Sequence, residues 1–509
     1  MIKFLISLII FLGCKIQPSN DQLNLVLPGD PRSLDPILAT DVRSGQICAL
    51  LYDNLVHYGD SVEIVPGIAK KWNISNNGKK YTFILNTKVY FNNGKKVKSE
   101  DVIKSFLRII EPGSRSPFSW IFDNVVNAID YKQGNEKNIK GFIAPNDSTI
   151  IINLIRPQNS FINFLAMPPT SIVLVSEEKK IIGSGPWVLT ERIYDGHLLF
   201  HKNENYFNGE PLLSKIQISI IPETFPRIAK YISGFLDIME IPKNEYLDWK
   251  KKKKFNEHIY YQNELNTYYI GLNCDRYPFD NKKIRQAVNY AINKTDIIEK
   301  ILNGNAIKSK GPIPPKLIST KTNHVYNYNI EKANQLLKEA NVKQEIEVEL
   351  WQSKSQKNSL ITEIIQSQLE KINISVKIVK RDWNNFTQAI RNGETDMYYR
   401  SWHADYPDAE NFIEPLFFSN ISKKRWNRYE NKNVDKLINR IKNEDNTIMR
   451  NKNILEANNI IVDDAPWIFL WHTQTPFIVN PKLKDWKPKV MYNAEKYLKV
   501  KKNDHLYNQ

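Results

Sequence analysis

The chain is predicted to be an α/β protein of two or more lobes, from its length, from alternating strand and helix patterns in its second half, and from what those strands carry at their ends. At 509 residues it is too long for one hydrophobic core, so two or three lobes are expected. Glu345-Ile346-Glu347-Val348-Glu349-Leu350 alternates charged and apolar residues, the pattern of a half-buried strand. A helical run follows (Leu360, Ile361, Ile364, Ile365, Leu369), then a strand from Ser375 to Asp382. A short helix over about Asn384 to Arg391 leads to a third strand, Asp396-Met397-Tyr398-Tyr399-Arg400. This order implies parallel neighbours joined by right-handed crossovers, so all three strands end on one edge. Open α/β sheets bind ligands beyond the carboxyl ends of their strands. Those ends deliver Trp351-Gln352, Trp383, and the segment Trp402 to Asp408. Aromatic walls with acidic residues between them suit a cationic, partly apolar ligand.

At the amino end Lys3 precedes an apolar run from Phe4 to Leu12, then Gly13-Cys14. A basic start, an apolar stretch and a small residue before the cleavage point describe a signal peptide over 1–13, too short for a membrane span. Asp21 to Asn54 reads as a short strand (Asn24 to Leu27), a loop through Asp35-Pro36 and a helix. The block 58–180 has a strand at Tyr81-Thr82-Phe83-Ile84-Leu85 and a turn at Asn92-Asn93-Gly94. Its helix starts near Ser99-Glu100-Asp101, with Val102, Ile103, Phe106 and Leu107 on one face. Ile216, Ile218 and Ile220 alternate in a third block, Gly183 to about Glu264. The fourth, 265–478, opens with a strand, Tyr268 to Cys274. A helix striped by Ile284, Ala287, Val288, Ala291 and Ile292 follows, with Asp280 placed to cap it. The Lys-rich end after Pro481 is expected to pack back on the first lobe.

Composition excludes several classes. A hydrophobic fraction of 41% with 11% aromatics fits a globular protein with a sizeable interior. The net charge of +16 invites a nucleic-acid reading, but the lysines are spread along the chain and no nucleic-acid motif accompanies them. The dense run Lys250 to Lys254 reads as a solvated helix face. Cys48 and Cys274 alone make no disulfide framework and are read as buried free thiols. His-Glu-x-x-His, Gly-x-Ser-x-Gly and a phosphate-cradling Gly loop are all missing, so the chemistry those motifs carry, ATP hydrolysis included, is not expected. His403 lies near two aspartates, but the spacing fits no zinc or EF-hand pattern, and neither metal nor cofactor is expected. Two competing readings stay open. Asp405, Asp408 and Glu410 supply the carboxylates a glycosidase needs, and a surface adhesin would carry no small ligand.

Several stretches resemble the extracytoplasmic solute-binding proteins of peptide ABC transporters, the oligopeptide- and dipeptide-binding family. They are Ser33-Leu34-Asp35-Pro36; Val65-Pro66-Gly67-Ile68-Ala69-Lys70-Lys71-Trp72; Tyr81-Thr82-Phe83 through Asn93-Gly94 to Ser99-Glu100-Asp101-Val102; Gly183-Ser184-Gly185-Pro186-Trp187; Asn205-Tyr206-Phe207-Asn208-Gly209; Pro278-Phe279-Asp280 through Arg285-Gln286-Ala287; and Trp402 to Phe412. They occur in the family's order and span nearly the whole mature chain. Phe11-Leu12-Gly13-Cys14 likewise resembles a bacterial lipoprotein box, with Leu12 where a small residue is commoner. In that family Cys14 is acylated and becomes the first mature residue, anchoring the protein to a bacterial membrane on the periplasmic side or at the cell surface. Ordinary secretion with an incidental Cys14 is the alternative.

The resemblance implies a periplasmic-binding-protein-like fold of two α/β lobes plus an extra domain, with the ligand in a hinged cleft. Lobe I would comprise 14–57 and 181–264, the extra domain 58–180, and lobe II 265–478, with 479–509 returning to lobe I. The implied function is capture of oligopeptides by a monomer and their delivery to membrane permease subunits. Nickel complexes, haem or oligosaccharides are the alternative ligands. Asp405 falls on the aspartate that pairs with the peptide's α-ammonium group, although Asp408 also suits that role or that of a helix cap. Trp383 and Phe118 align with aromatic pocket positions, Thr40 and Val42 with residues beside the ligand backbone, and Tyr269 with a tyrosine facing the cleft. Trp402, His403 and Tyr406 complete the candidate set. Two departures bear on ligand choice. The family's paired cysteines are here Asn266 and His403, and an acidic residue near the peptide amine is here Thr40.

Overall fold

The alternation at Glu345 to Leu350 forms the strand Ile346–Ser353, which pairs in parallel with both Ile374–Arg381 and Met397–His403. This is seen in a computed structural model that describes residues 20–60, 62–242, 245–318, 325–354, 356–444 and 446–503. Cys14 and the expected signal peptide lie outside those residues. Ile346, Val348 and Leu350 point into a core with Ile361, Ile365 and Leu369 of the crossover helix. The sheet continues through Asn266–Leu272 and Trp467–Val479 to Ile238–Glu240, all antiparallel to their neighbours.

Trp467–Val479 does two jobs along its 13 residues. Its first part pairs with Asn266–Leu272 inside lobe II, and its last part pairs with Ile259–Asn263 and Ile238–Glu240. There Val479 and Ile238 join the core of lobe I. The chain thus crosses between lobes on two neighbouring strand paths. Where they cross, Thr473 Oγ1 donates to Glu264 (3.0 Å), and the Asn266 amide nitrogen donates to Thr473 Oγ1 (2.6 Å).

Lobe I is a four-stranded sheet in the order Gln22–Leu27, Lys215–Ile220, His197–Lys202, Trp187–Ile193; the first pair is parallel, the others antiparallel. Helix Val42–Leu51 packs on it, capped by Asp41, whose carboxylate accepts from Ser44 N at 3.2 Å. Trp486 and Val500 join the same core, and Trp187 Nε1 donates to Lys496 O at 2.9 Å. The extra domain is an antiparallel sheet in the order Ala69–Ser75, Lys80–Leu85, Thr149–Asn153, Phe142–Asn146, covered by helix Ser99–Ile110.

Two local expectations shift. The Ile284 helix begins at Lys282, and its cap is Asn281, which accepts from Lys283 N at 2.9 Å, not Asp280. The strand expected at Tyr268 to Cys274 is Asn266–Leu272, because Cys274 N leaves the sheet to donate to Asn427 O. Cys48 and Cys274 are free, Cys48 buried and Cys274 half-buried. Among the described residues no helix is long and apolar enough to cross a membrane.

Candidate functional site: the cavity between the lobes

A cavity of about 410 Å³ opens where lobe I, the extra domain and lobe II meet. Thr40, Asp41, Val42 and Gln46 come from lobe I, Phe118, Met167 and Pro169 from the extra domain, and His403, Ala404 and Asp405 from lobe II. Gln262 reaches it from the strand Ile259–Asn263, Glu264 and Leu265 from the link to Asn266–Leu272, and Val490, Met491 and Tyr492 from the C-terminal segment.

Local chemistry places each wall. Asp35 caps the turn Pro36–Leu38 by accepting from Ile37 N, and Arg108 of the extra-domain helix pairs with its carboxylate at 2.7 Å. Ser116 Oγ donates to Ile37 O at 2.9 Å, which sets Phe118 beside Thr40. After the strand Met397–His403, Ala404 N donates to Leu265 O at 2.8 Å. Asp405 N then donates to Asn411 Oδ1 at 3.0 Å, an oxygen that also accepts from Trp402 Nε1 at 3.3 Å. The turn holds Asp405 at the cavity wall.

The Asp405 carboxylate has no cationic partner among the described residues. Its polar contact is a long one, from Asn411 Nδ2 at 3.5 Å. Desolvation in the cleft raises its pKa above the ordinary 3.8, against a smaller opposing effect of Asn411. A carboxylate that stays open to the cavity, with no counter-charge among the described residues, is an incomplete ion pair.

Thr40, Val42, Phe118, His403 and Asp405 thus come together. The other candidates lie elsewhere. Tyr269 is fully buried, its ring stacked on Trp467 at 3.5 Å between centroids, so it belongs to the core and not the cleft face. Tyr406 is buried against Phe164 of the extra domain at 4.9 Å. Asp408 caps the turn Ala409–Phe412 by accepting from Glu410 N and pairs with Arg450 at 2.9 Å. Glu410 pairs with the same guanidinium at 2.8 Å, and burial together with Asp408 pushes its pKa up. Neither carboxylate lines the cavity, so the glycosidase arrangement is not assembled there.

Trp402 supports the Asp405 turn through Asn411. Trp383 is 55% exposed, packs on Phe386 and the Arg400 guanidinium, and is not part of the cavity wall. Trp351 is likewise outside it, and Gln352 is buried against Thr362. Sheet order explains this. Met397–His403 adjoins the crossing strands, whereas Ile346–Ser353 and Ile374–Arg381 lie farther toward the free edge. Among the described residues no three His, Cys, Asp or Glu gather as a metal site.

A second cavity, of about 300 Å³, shares Val42, Gln46, Gln262, Met491 and Tyr492 with the first. Leu25, Ile47, Leu50, Ile218, Phe477 and Trp486 make much of its wall apolar, and Glu495 lies in it. Burial raises the Glu495 pKa. Met491, Tyr492 and Glu495 carry no motif in the sequence, and nothing in their spacing marks them.

Asn266 and His403, where the resembling family pairs cysteines, face each other in register across two antiparallel strands. The matching motifs prove to be framework. Asp53 is fully buried and gathers Lys496 Nζ (2.9 Å), His57 Nε2 (3.1 Å), Tyr206 Oη (2.9 Å) and Ser184 Oγ (3.2 Å). Burial opposes its charge, but Lys496 and His57 outweigh that and hold its pKa at about 2.

Among known proteins, the chain is 29% identical to heme-binding protein A of Haemophilus influenzae over 463 residues, covering 86% of this chain and 84% of that protein. It is 26% identical to the dipeptide-binding protein of Escherichia coli over 488 residues, 90% of each. The structure of a periplasmic binding protein, DppA, from Helicobacter pylori in complex with the peptide STSA superposes with a TM-score of 0.75 at 27% identity, covering 94% of this chain and 98% of that one. Residues 63–424 match the middle region of the bacterial extracellular solute-binding proteins, family 5. With two α/β lobes, an extra domain and a cavity between them, the chain belongs to that family of solute-binding proteins.

Proposed function

We propose that this chain is an extracytoplasmic receptor that binds oligopeptides between its lobes and hands them to an ABC permease. The observation that carries the reading is Asp405, a carboxylate on the wall of the interlobe cavity without a counter-ion among the described residues. A peptide's α-ammonium group supplies the missing charge. The pair is strongest when the lobes close over it, because fewer waters then compete. Backbone hydrogen bonds to an extended peptide are blind to sequence, and roomy, hydrated side-chain pockets tolerate many residues. The adjoining cavity lets the ligand extend past Val42 toward the apolar wall of Leu25, Ile218 and Phe477. The relatives named for dipeptides and for a bound peptide support the ligand class. Cys14 is the proposed acylation site, and a Cys14→Ala protein is expected to leave the membrane fraction while still binding peptide.

Native mass spectrometry of the chain from Lys15 onward, as purified and after addition of a mixed tri- to hexapeptide library, tests the reading. A ladder of peptide adducts is the expected result. An empty protein that stays empty, or one carrying a single non-peptide mass, overturns it; haem would be that mass if the chain shares the ligand for which its Haemophilus relative is named.

A further inference from the structure

The described chain begins on a face with unusual chemistry. Asn20 lines a surface cavity of about 340 Å³ together with Ile232, Lys254 and Phe255. Five residues, Lys15 to Ser19, separate Asn20 from Cys14. At about 3.5 Å per residue such a tether spans at most about 20 Å. A chain held in a bilayer at Cys14 therefore keeps this face close to the lipid headgroups.

Helix Thr224–Ile232 leaves Phe225 78% and Ile232 64% exposed, seven residues apart and so on one side of the helix. Phe235 and Leu247 are exposed nearby in the chain. The packing of the element does not use these side chains. It rests on Tyr231, which meets Trp249 at 5.7 Å, and on Trp249, stacked on Phe255 at 4.5 Å. Directly after Trp249 comes Lys250 to Lys254, all exposed. Lys251 pairs with Asp248 at 3.7 Å, whereas Lys252, Lys253 and Lys254 have no carboxylate partner among the described residues. Apolar side chains that protrude beside uncompensated lysines are what an interfacial binder presents: the former enter the headgroup boundary and the latter meet anionic lipid.

We propose that this face, helix Thr224–Ile232 with the Lys250–Lys254 run, docks on an anionic lipid bilayer and fixes how the cleft is turned toward the membrane. Its orientation beside the bilayer rests on the reading of Cys14 as the anchor; its affinity for lipid does not.

The chain from Lys15 onward contains every described residue and no Cys14, and it is mixed with sedimentable vesicles of phosphatidylcholine alone or with phosphatidylglycerol. Binding to the anionic vesicles only, weakened by added salt, is expected. Replacing Lys252, Lys253 and Lys254 by Gln should lower it by at least about tenfold. Phe225→Ser with Ile232→Ser should lower it as well. A charge-matched variant on the extra domain, with Lys70, Lys71 and Lys88 changed to Gln, should bind within about twofold of the parent. No binding to anionic vesicles overturns the proposal, and so does equal weakening in the two lysine variants, which would assign binding to net charge. Acylation is read separately, from the membrane partition of the intact protein and its Cys14→Ala variant, so each reading fails by its own result.

Discussion

Asp405→Asn is the substitution whose effect the structure defines most closely. Asparagine keeps the shape of the side chain and an oxygen for the long contact from Asn411 Nδ2, so the turn Ala404 to Asn411 should persist. What disappears is the charge. Breaking a buried ion pair by removing one partner costs about 3–5 kcal/mol. Asp405 is itself exposed in the cavity of about 410 Å³, whose water partly solvates a stranded ammonium, which brings the expected loss to ~2–3 kcal/mol, or ~30–150-fold in Kd. Isothermal titration with a short peptide and its N-acetylated form completes a double-mutant cycle. Acetylation should cost the parent a similar factor and the variant almost nothing. Since burial raises the Asp405 pKa above 3.8, the uncharged form is favoured by folding. Peptide affinity should therefore fall as pH drops through that raised pKa, at higher pH than for an aspartate of ordinary pKa. The unliganded variant should be no less stable than the parent. A change in Kd below about threefold, or equal loss for the acetylated peptide, would refute the role of Asp405.

Asp53→Asn should act on stability instead. It leaves the Lys496 ammonium with only the Ala49 and Tyr52 carbonyls and turns one of the two oxygens that accept from Tyr206 and Ser184 into an amide nitrogen, at a cost of about 3–5 kcal/mol by urea unfolding. The Asp53 carboxylate titrates at about 2 when folded and near 3.8 when not, so its contribution is present above pH 3.8 and is lost as pH falls toward 2. The gap between parent and variant should narrow by roughly 2 kcal/mol across that window, and a gap that does not narrow would mean the effect is not electrostatic. Tyr269→Phe removes a hydroxyl that has no hydrogen-bond partner among the described residues. Stability should change by less than about 1 kcal/mol and peptide affinity not at all; a tenfold loss of affinity in the same titration would return Tyr269 to the cleft.

The parallel strands Ile346–Ser353, Ile374–Arg381 and Met397–His403 were legible because a period of two switching to a period near four leaves few topologies. Which strand end meets the cavity was not. Sheet order depends on where the distant strands Asn266–Leu272 and Trp467–Val479 insert, and no local pattern encodes that. Hence Asp405 lies at the cavity while Trp351 and Trp383, equally prominent in the sequence, do not. Asp408 and Asp405 look alike in the chain, and only Arg450, 42 residues away, makes the first a structural ion pair. The motifs that resemble the family mark the buried Asp53 network and the Asp35–Arg108 link, which are long-range framework.

The C-terminal segment adds a wall that no motif announces. Tyr492 closes the junction between the two cavities, and it fits because residue 45, inside helix Val42–Leu51, is glycine: a Cβ there would overlap the Tyr492 ring. Gly45→Ala is expected to favour the helix by up to about 1 kcal/mol, but it also displaces the ring. Open space lies on the cavity side, so the ring should move there rather than into the lobe I core. The thermal midpoint should then change little while peptide affinity falls, with the longest peptides losing most because they must pass the junction. Equal loss at every length would place the ligand in the Asp405 cavity alone, and unchanged affinity would mean the ligand does not approach Tyr492. Because that junction is built from side chains outside the motifs, relatives that share the framework are free to differ in ligand.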